Sequence, residues 1–361
     1  MKRNPIIFLL PILFSALLLS ACQEEYRAEL DNMEPLLVVN GLITDQPGTH
    51  TVTLSKTVKF QEDFIPEKVS GAMIRITGTD GSSVFLTEYE AGTYRTPDAF
   101  AGSIGESYTL HITTPEGEEY RSTPQEIIPP LSVDSVFGQL GQEVFYFNSH
   151  VSNNVYVSAI DGTNTFLKTS GGPEGAARYR FNTELYLQYI IIYPQGMAAE
   201  TYDYCWVKRP ILDQVGTDIG NPNSLPHSTD KVAFIIRNRN DFIYYGIGPQ
   251  LYDMVRVLIN KVYTLNEDSY LFHKAKNEQL GDEGRFFDPI ASQIPGNIEC
   301  LSDPSKKVLG LFEASSEHIL TYKVMADFFN ENVNIEMIDN LDQIPRSGCL
   351  YEEFPAHWIY Q

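Results

Sequence analysis

The stretch MIRITGTDGSSVFL, residues 73–86, is the clearest hairpin signal in the chain. Ile74 and Ile76 alternate with polar neighbours, and this period of two predicts a strand with one buried face. Asp80-Gly81 is a residue pair typical of a two-residue hairpin turn. Val84-Phe85-Leu86 then predicts the returning strand, so the stretch indicates two antiparallel strands.

Similar short strands, separated by turn residues, lie on both sides of this hairpin. They include the run 36–43, the pair Val52 and Leu54, and the trio Tyr108, Leu110 and Ile112. His111 falls on the polar face of its strand and is expected to be solvated. Roughly seven strands at this spacing predict an immunoglobulin-like β-sandwich over residues 36–130.

Residues 131–361, after Pro129-Pro130, are expected to form a larger β-rich domain with at least one helix. Segments dense in β-branched and aromatic residues predict its strands. These segments are 156–160, 179–193, 202–207, 232–237, 308–314 and 318–324. The whole chain is therefore predicted to be mainly β.

The one clear helix signal follows an ambiguous segment. Thr264-x-x-Glu267 has the pattern of a capping box, and an apolar stripe continues from it towards Gly281. Residues 251–263 fit both helical and strand spacing. A strand is preferred there because the alternating set is entirely β-branched, and such side chains are stiff in a helix.

Residues 1–21 have the features of a bacterial export signal. Lys2-Arg3 precedes an uncharged run over residues 5–19, and Leu19-Ser20-Ala21-Cys22 matches the lipobox of lipoproteins. The apolar run is shorter than the roughly 20 residues that span a bilayer. We therefore predict a lipoprotein signal peptide and a lipid on Cys22, in preference to a transmembrane anchor.

The predicted lipidated linker, residues 22–35, opens with the acidic tract Gln23-Glu24-Glu25. This tract resembles the export signal of surface-exposed lipoproteins in the Bacteroidota, which directs them to the outer face of the outer membrane. The alternative is that the acids only keep a linker solvated. Removing Lys2-Arg3 with the signal changes the formal charge of the chain from −21 to −23. This acidity argues against nucleic acid as a partner.

Three cysteines remain after Cys22, in a compartment that permits disulfides. Cys300 with Cys349 closes the shortest loop, and Cys300 with Cys205 is the open alternative. No Cys-x-x-Cys pair and no histidine at ligand spacing accompanies them. The sequence therefore predicts no metal site.

The sequence shows no catalytic constellation. Gly-x-Ser-x-Gly is absent, and Glu317-His318 lacks the second histidine of a metalloprotease helix. The 47 Asp and Glu residues would allow a carboxylate-dependent hydrolase, but no pair stands out. We therefore predict no catalytic residues and no cofactor, with such a hydrolase as the alternative.

Several glycine-rich and aromatic segments match one known pattern. They are Gly284-Arg285-Phe286-Phe287-Asp288-Pro289, Gln293, Gly296-Asn297-Ile298, the strand 308–315, and the opening strands 37–43 and 52–55. Together they resemble the Bacteroidota outer-membrane lipoprotein family known as domain of unknown function 4249. That family most often has Gly-Tyr-Phe where this chain has Gly310-Leu311-Phe312, so Leu311 is given no binding role.

The resemblance implies an outer-membrane lipoprotein with an immunoglobulin-like N-terminal part, commonly associated with a TonB-dependent transporter. It carries no catalytic motif. The expected function is a surface-exposed, non-enzymatic accessory that binds a ligand or covers the transporter barrel as a lid. Its expected partners are the outer membrane and that barrel. A structural or adhesive surface protein, or an accessory of outer-membrane assembly, is the alternative.

Overall fold

The computed structural model describes residues 35–58, 65–148, 155–170, 178–193, 201–209, 218–219, 227–236, 242–243, 250–281, 293–327 and 332–338. Within these ranges the predicted mainly β fold is confirmed, with one helix, α1 (Glu267–Gly281). The strands are β1 (Leu37–Thr44), β2 (Thr51–Lys56), β3 (Met73–Gly78), β4 (Ser83–Phe85), β5 (Thr87–Glu90), β6 (Thr93–Arg95), β7 (Ser107–Thr113), β8 (Glu119–Ser122), β9 (Gln125–Glu126), β10 (Ser132–Asn148), β11 (Val155–Ser170), β12 (Tyr179–Tyr193), β13 (Thr201–Arg209), β14 (Asp218–Ile219), β15 (His227–Ile236), β16 (Phe242–Ile243), β17 (Gln250–Thr264), β18 (Ile298–Cys300), β19 (Leu309–Asp327) and β20 (Asn332–Met337).

Two sheets face each other in the N-terminal sandwich. One runs in the order β19, β1, β2, β6 and β5, and the other in the order β18, β8, β7, β3 and β4. Val39 and Leu54 from the first sheet share one core with Ile76 and Leu110 from the second. Alternate residues of β7 are buried, which confirms its predicted inner face and leaves His111 half-buried on the outer face.

The β3–β4 hairpin has a three-residue loop and not the predicted two-residue turn. The amide of Gly81 donates to the carbonyl of Gly78 (3.1 Å), and the amide of Gly78 donates to the carbonyl of Ser82 (3.0 Å). Gly81 has a φ of +84°, the left-handed conformation that closes such a loop. The predicted turn was one residue too short because Thr79 also belongs to the loop.

Strands from the C-terminal part of the chain complete this sandwich. β19 pairs in parallel with β1, where Val39 lies opposite Gly310 and Ile43 opposite Ala314. β18 pairs with β8 at the edge of the other sheet. One sheet therefore continues from β13 through β12, β17, β19, β1, β2 and β6 to β5. The domain boundary at residue 130 stays a prediction, and strand pairing crosses it.

A second pair of layers forms the C-terminal body. β10, β11 and β15 make a three-stranded sheet that packs on β12, β17, β19 and β20. Their shared core includes Leu167, Tyr179, Val262 and Tyr322. The strand preferred for residues 251–263 is confirmed because they lie in β17. The predicted segments 308–314 and 318–324 belong almost entirely to the single strand β19.

The helix α1 begins later than the predicted capping box indicates. Thr264 is still part of β17, where it pairs with Ser316 of β19. Its hydroxyl accepts a hydrogen bond from the backbone amide of Leu131 at 3.1 Å. Asn266 caps the helix instead, because its side-chain oxygen accepts the amide of Ser269 at 2.9 Å. The end of the helix at Gly281 agrees with the prediction.

The cap assignment gives a first stability prediction. Asn266→Ala is expected to lower the unfolding free energy by about 1 kcal/mol, because it leaves the amide of Ser269 unpaired. Urea unfolding followed by circular dichroism measures this change. Glu278→Ala, on the exposed side of the same helix, is the control and should change the free energy by less than about 0.5 kcal/mol. Equal effects of the two substitutions would show that Asn266 is not the cap.

Candidate functional site

An open pocket of about 370 Å³ lies at one end of the N-terminal sandwich. Leu37, Val69 and Tyr120 form its buried, apolar part. The remaining lining residues are Pro35, Lys56, Glu67, Thr114, Glu116, Glu118 and Lys306. Because its volume falls within the range of small-molecule sites, this pocket is the candidate ligand-binding site.

Paired charges line this pocket. Lys306 Nζ lies 2.5 Å from Glu118 Oε1, and Lys56 Nζ lies 3.5 Å from Glu67 Oε1. The hydroxyl of Tyr120 donates to Glu118 Oε2 at 2.6 Å. The hydrogen bonds from Lys306 and then Tyr120 hold the pKa of Glu118 below its usual value, while burial and then Glu118 raise the pKa of Tyr120. Paired charges above an apolar floor suit a small zwitterionic or polar ligand.

The β7–β8 turn forms one wall of the pocket. The amide of Gly117 donates to the carbonyl of Thr114, and the amide of Thr114 donates to the carbonyl of Glu118, both at 2.9 Å. Gly117 adopts a φ of +85° to close this turn. The hydroxyl of Thr114 is buried, and it has no hydrogen-bond partner within the described ranges. This wall therefore holds one polar atom that no described residue of the protein engages.

A buried charge cluster, comprising Arg180, Tyr263, His273, Glu313 and Ser315, lies where β12, β17 and β19 meet α1. The side chain of Glu313 is only 3% exposed, and Arg180 donates to it from Nε (3.0 Å) and Nη2 (2.9 Å). His273 Nε2 lies 2.7 Å from Glu313 Oε2, and the hydroxyl of Ser315 donates to Oε1 at 2.9 Å. The guanidinium of Arg180 also stacks 3.8 Å from the ring centre of Tyr263.

The electrostatics of the buried charge cluster favour a structural role. Burial alone would raise the pKa of Glu313, but Arg180 and His273 outweigh it and lower that pKa to about 2. Both carboxylate oxygens are engaged by side chains of this protein. Glu313 is therefore committed to holding β12 and α1 against β19, and its geometry leaves no oxygen for a substrate.

Glu313 is expected to make the protein less stable in acid. Its folded pKa of about 2 lies below the ordinary value of 4.5, so its contribution is complete above about pH 4.5 and is lost as the pH falls through about 2. We expect the unfolding free energy to fall by about 3 kcal/mol across this window. Urea unfolding between pH 6 and pH 2 measures the slope. Glu313→Gln should remove this part of the slope, and an unchanged slope in that variant would contradict the assignment.

The predicted site residues have different outcomes. Cys22, Gln23-Glu24-Glu25 and Cys349 lie outside the described residues, so lipid attachment, export and the Cys300–Cys349 bridge stay predictions. The side chain of Cys300 is buried, 2% exposed, at the end of β18, and it forms no disulfide within the described residues. The backbone of Cys205 lies on β13, opposite Tyr189. Its side chain is outside the described part, so the alternative bridge also stays a prediction.

Neither the pocket nor the buried charge cluster was evident from residue spacing. Glu313 carried a usable signal, because an acid inside an apolar strand must find a partner if it is buried. That partner, Arg180, lies 133 residues away in the chain. The pocket combines side chains from separate turns and strands, from Pro35 to Lys306. The fold of the chain brings together the side chains of the pocket and those of the buried charge cluster.

The described part of the chain contains no group of three or more His, Cys, Asp or Glu side chains that could hold a metal ion. None of its helices has the length and apolar character needed to cross a membrane.

Comparison with known proteins gives one family. A family model described as "Domain of unknown function (DUF4249)" matches residues 23–320. No curated protein matches the chain. The matched range includes every residue that lines the pocket and every member of the buried charge cluster. The chain therefore belongs to the family described as Domain of unknown function (DUF4249).

Proposed function

We propose that the protein is a surface-exposed lipoprotein of the outer membrane, and that it serves a TonB-dependent transporter as a non-enzymatic, ligand-binding or lid-like accessory. The observation that carries the proposal is Leu19-Ser20-Ala21-Cys22 followed directly by Gln23-Glu24-Glu25. A lipobox with an acidic tract behind it is suited to anchoring a protein at the cell surface. Membership of the DUF4249 family is consistent with this assignment over most of the mature chain.

The position of the pocket supports the ligand-binding part of the proposal. Pro35 and Leu37, where the chain enters the sandwich, both line it. The twelve residues between Cys22 and Pro35 span at most about 43 Å when fully extended. A lipid on Cys22 would keep the pocket close to the membrane, where a ligand could be passed to a barrel.

The chemistry of the pocket supports a role without catalysis. A glycosidase needs one carboxylic acid with a raised pKa to protonate the leaving group. The pKa of Glu118 is shifted in the opposite direction by Lys306 and Tyr120. Glu67 is paired with Lys56. These carboxylates are better suited to orienting a ligand than to donating a proton.

Anchoring and display can be tested separately. Cys22→Ser should move the protein from the membrane to the soluble fraction, because the lipid cannot be attached. The double variant Glu24→Ala and Glu25→Ala should keep the lipid, yet become protected from protease added to intact cells. Glu29→Ala combined with Asp31→Ala is the matched control, which removes two acids further along the linker. Equal protease access in both double variants would remove the case for an export signal.

A deletion strain distinguishes the accessory role from the structural alternative. Loss of the protein should slow the uptake of at least one substrate in a panel of radiolabelled ferric siderophores, cobalamin and oligosaccharides. Restoring the gene should restore uptake. Normal uptake of the whole panel, together with an altered set of envelope proteins, would instead favour a structural, adhesive or assembly role.

A further inference from the structure

The outer surface of the second sandwich sheet, here called the β3–β7 face, carries two arginines and, towards its other side, two glutamates. Strand pairing aligns one residue from each of five strands across it. From β4 to β18, this row is Phe85, Arg75, His111, Arg121 and Glu299. Two arginines therefore lie on either side of β7 in this row, on a chain whose formal charge is −21.

The two arginines of the β3–β7 face differ in their pairing, and both are exposed enough to meet a partner. Arg75 is exposed, and no carboxylate pairs with it in the described part of the chain. Arg121 lies 2.7 Å from Glu299, but these side chains are 48% and 58% exposed, so the pair contributes little and can be exchanged. Burial and then both arginines lower the pKa of His111, so its imidazole is neutral at pH 7. Within the described residues, Arg75 is therefore the unpaired positive charge of the row, while Arg121 shares its charge with Glu299 in an exposed pair.

Exposed apolar side chains flank Arg75. Phe85 is 58% exposed and Met73 is 59% exposed, on β4 and β3 respectively. The acids of the face, Glu119 and Glu299, lie towards its other side, on β8 and β18. Arginine, methionine and phenylalanine are enriched in protein interfaces. The β3–β4 side of the face therefore has the composition of a binding surface.

The dimensions and charge of the face select the kind of partner. Five strands span about 20 Å, and three alternate positions along a strand span about 14 Å, so the face covers roughly 300 Å². A stable dimer needs roughly 800 Å² from each partner, more than this face offers. Anionic membranes are bound by clusters of about four to eight basic residues, and this face has two arginines. An extended segment fits the size of the face, and a carboxylate on it matches the unpaired guanidinium of Arg75.

We propose that the β3–β7 face docks an extended acidic segment of a partner protein, whose carboxylates bind Arg75 and Arg121 while its apolar side chains pack on Met73 and Phe85. A guanidinium can bind a carboxylate with two parallel hydrogen bonds, which fixes the orientation of the segment. This docking requires neither the lipid nor a transporter, so it can be tested independently of the proposed function.

The test uses the full mature protein in dodecyl maltoside micelles and a fluorescent random copolymer of glutamate and tyrosine. Fluorescence anisotropy should show binding, and Arg75→Glu should weaken it at least tenfold. Phe85→Ser should also weaken it. Arg95→Glu is the matched control, because this arginine stacks on Tyr89 and belongs to the other sheet. It should change the affinity less than twofold, and all three variants should keep the wild-type unfolding midpoint.

Several outcomes would overturn the proposal. Equal binding by the wild type and Arg75→Glu would remove the face as the binding site. Equal losses for Arg75→Glu and Arg95→Glu would show that only overall charge matters. Binding to phosphatidylglycerol vesicles that depends on Arg75, without binding of the copolymer, would make the face a membrane contact. A dimer in sedimentation that Arg75→Glu abolishes would make it a contact between copies of this chain.

Discussion

Replacing Glu313 by alanine is expected to lower the unfolding free energy by about 3–5 kcal/mol. The substitution leaves the guanidinium of Arg180, whose side chain is 12% exposed, in the protein interior without its counter-charge. It also removes the acceptor of His273 and Ser315. Denaturant unfolding at pH 7, followed by circular dichroism, measures the change. The loss should be large because an unpaired buried charge costs more than the ion pair contributes.

Two controls separate the buried charge from other effects of the substitution. Glu299→Ala breaks an exposed pair with Arg121 and should cost less than about 1 kcal/mol. The double variant Glu313→Leu and Arg180→Met removes both buried charges and should recover most of the lost stability. If Glu313→Ala cost no more than Glu299→Ala, the buried charge cluster would not be holding the strands together.

Replacing Gly310 by valine is expected to cost more than about 4 kcal/mol or to prevent folding. A Cβ at this position would overlap the carbonyl oxygen of Val39, so β1 and β19 could not pair. Gly310 also has a φ of +98°, a conformation that L-residues with a side chain rarely adopt. The parallel pairing of β1 with β19 joins the two parts of the fold, and its loss should affect the whole protein.

The matched control for this substitution is Gly81→Ala. Gly81 has a φ of +84°, but a Cβ there meets nothing within 4 Å. It should therefore cost only the conformational strain, about 1–2 kcal/mol. The two variants are compared by soluble yield and by unfolding midpoint. Similar effects at the two glycines would mean that the close approach of the strands does not determine stability.

Local patterns predicted the strands but not their partners. The alternation of Ile74 and Ile76 identified the buried face of β3, because side-chain period is a local property. The same alternation cannot tell which strand lies alongside. The pairing of Val39 with Gly310 joins positions far apart in the chain, so the completion of the sandwich by β19 was not predictable from spacing.

The predicted start of α1 was wrong because a strand signal and a helix-cap signal overlap at Thr264. Thr264 has the residue type of a helix cap, yet it remains in β17 because it still pairs with Ser316. The residue that caps the helix is Asn266, which the capping-box pattern does not identify as the cap. The matched segment Gly296-Asn297 shows a similar limit. The side chain of Asn297 bonds both the amide and the carbonyl of Phe312, a role that only the folded neighbour reveals.

Some candidate functional features could be predicted from local sequence, and others depend on how the strands pair. A lipobox is read by sequence, so Cys22 and the acidic tract could be assigned from the chain alone. The pocket and the β3–β7 face depend on which strands are neighbours in the sheets. Strand pairing, for example, places His111 between Arg75 and Arg121. Motifs for export are local, whereas surfaces for binding are products of topology.

Purification of the protein from detergent-solubilised membranes tests the proposed function most directly. An epitope tag would be used for capture in mild detergent, and copurifying proteins would be identified by mass spectrometry. We predict recovery of a TonB-dependent barrel in near-stoichiometric amount, and its loss when Cys22→Ser replaces the wild type. Recovery of the protein alone under these conditions, from membranes that contain such barrels, would contradict the proposal.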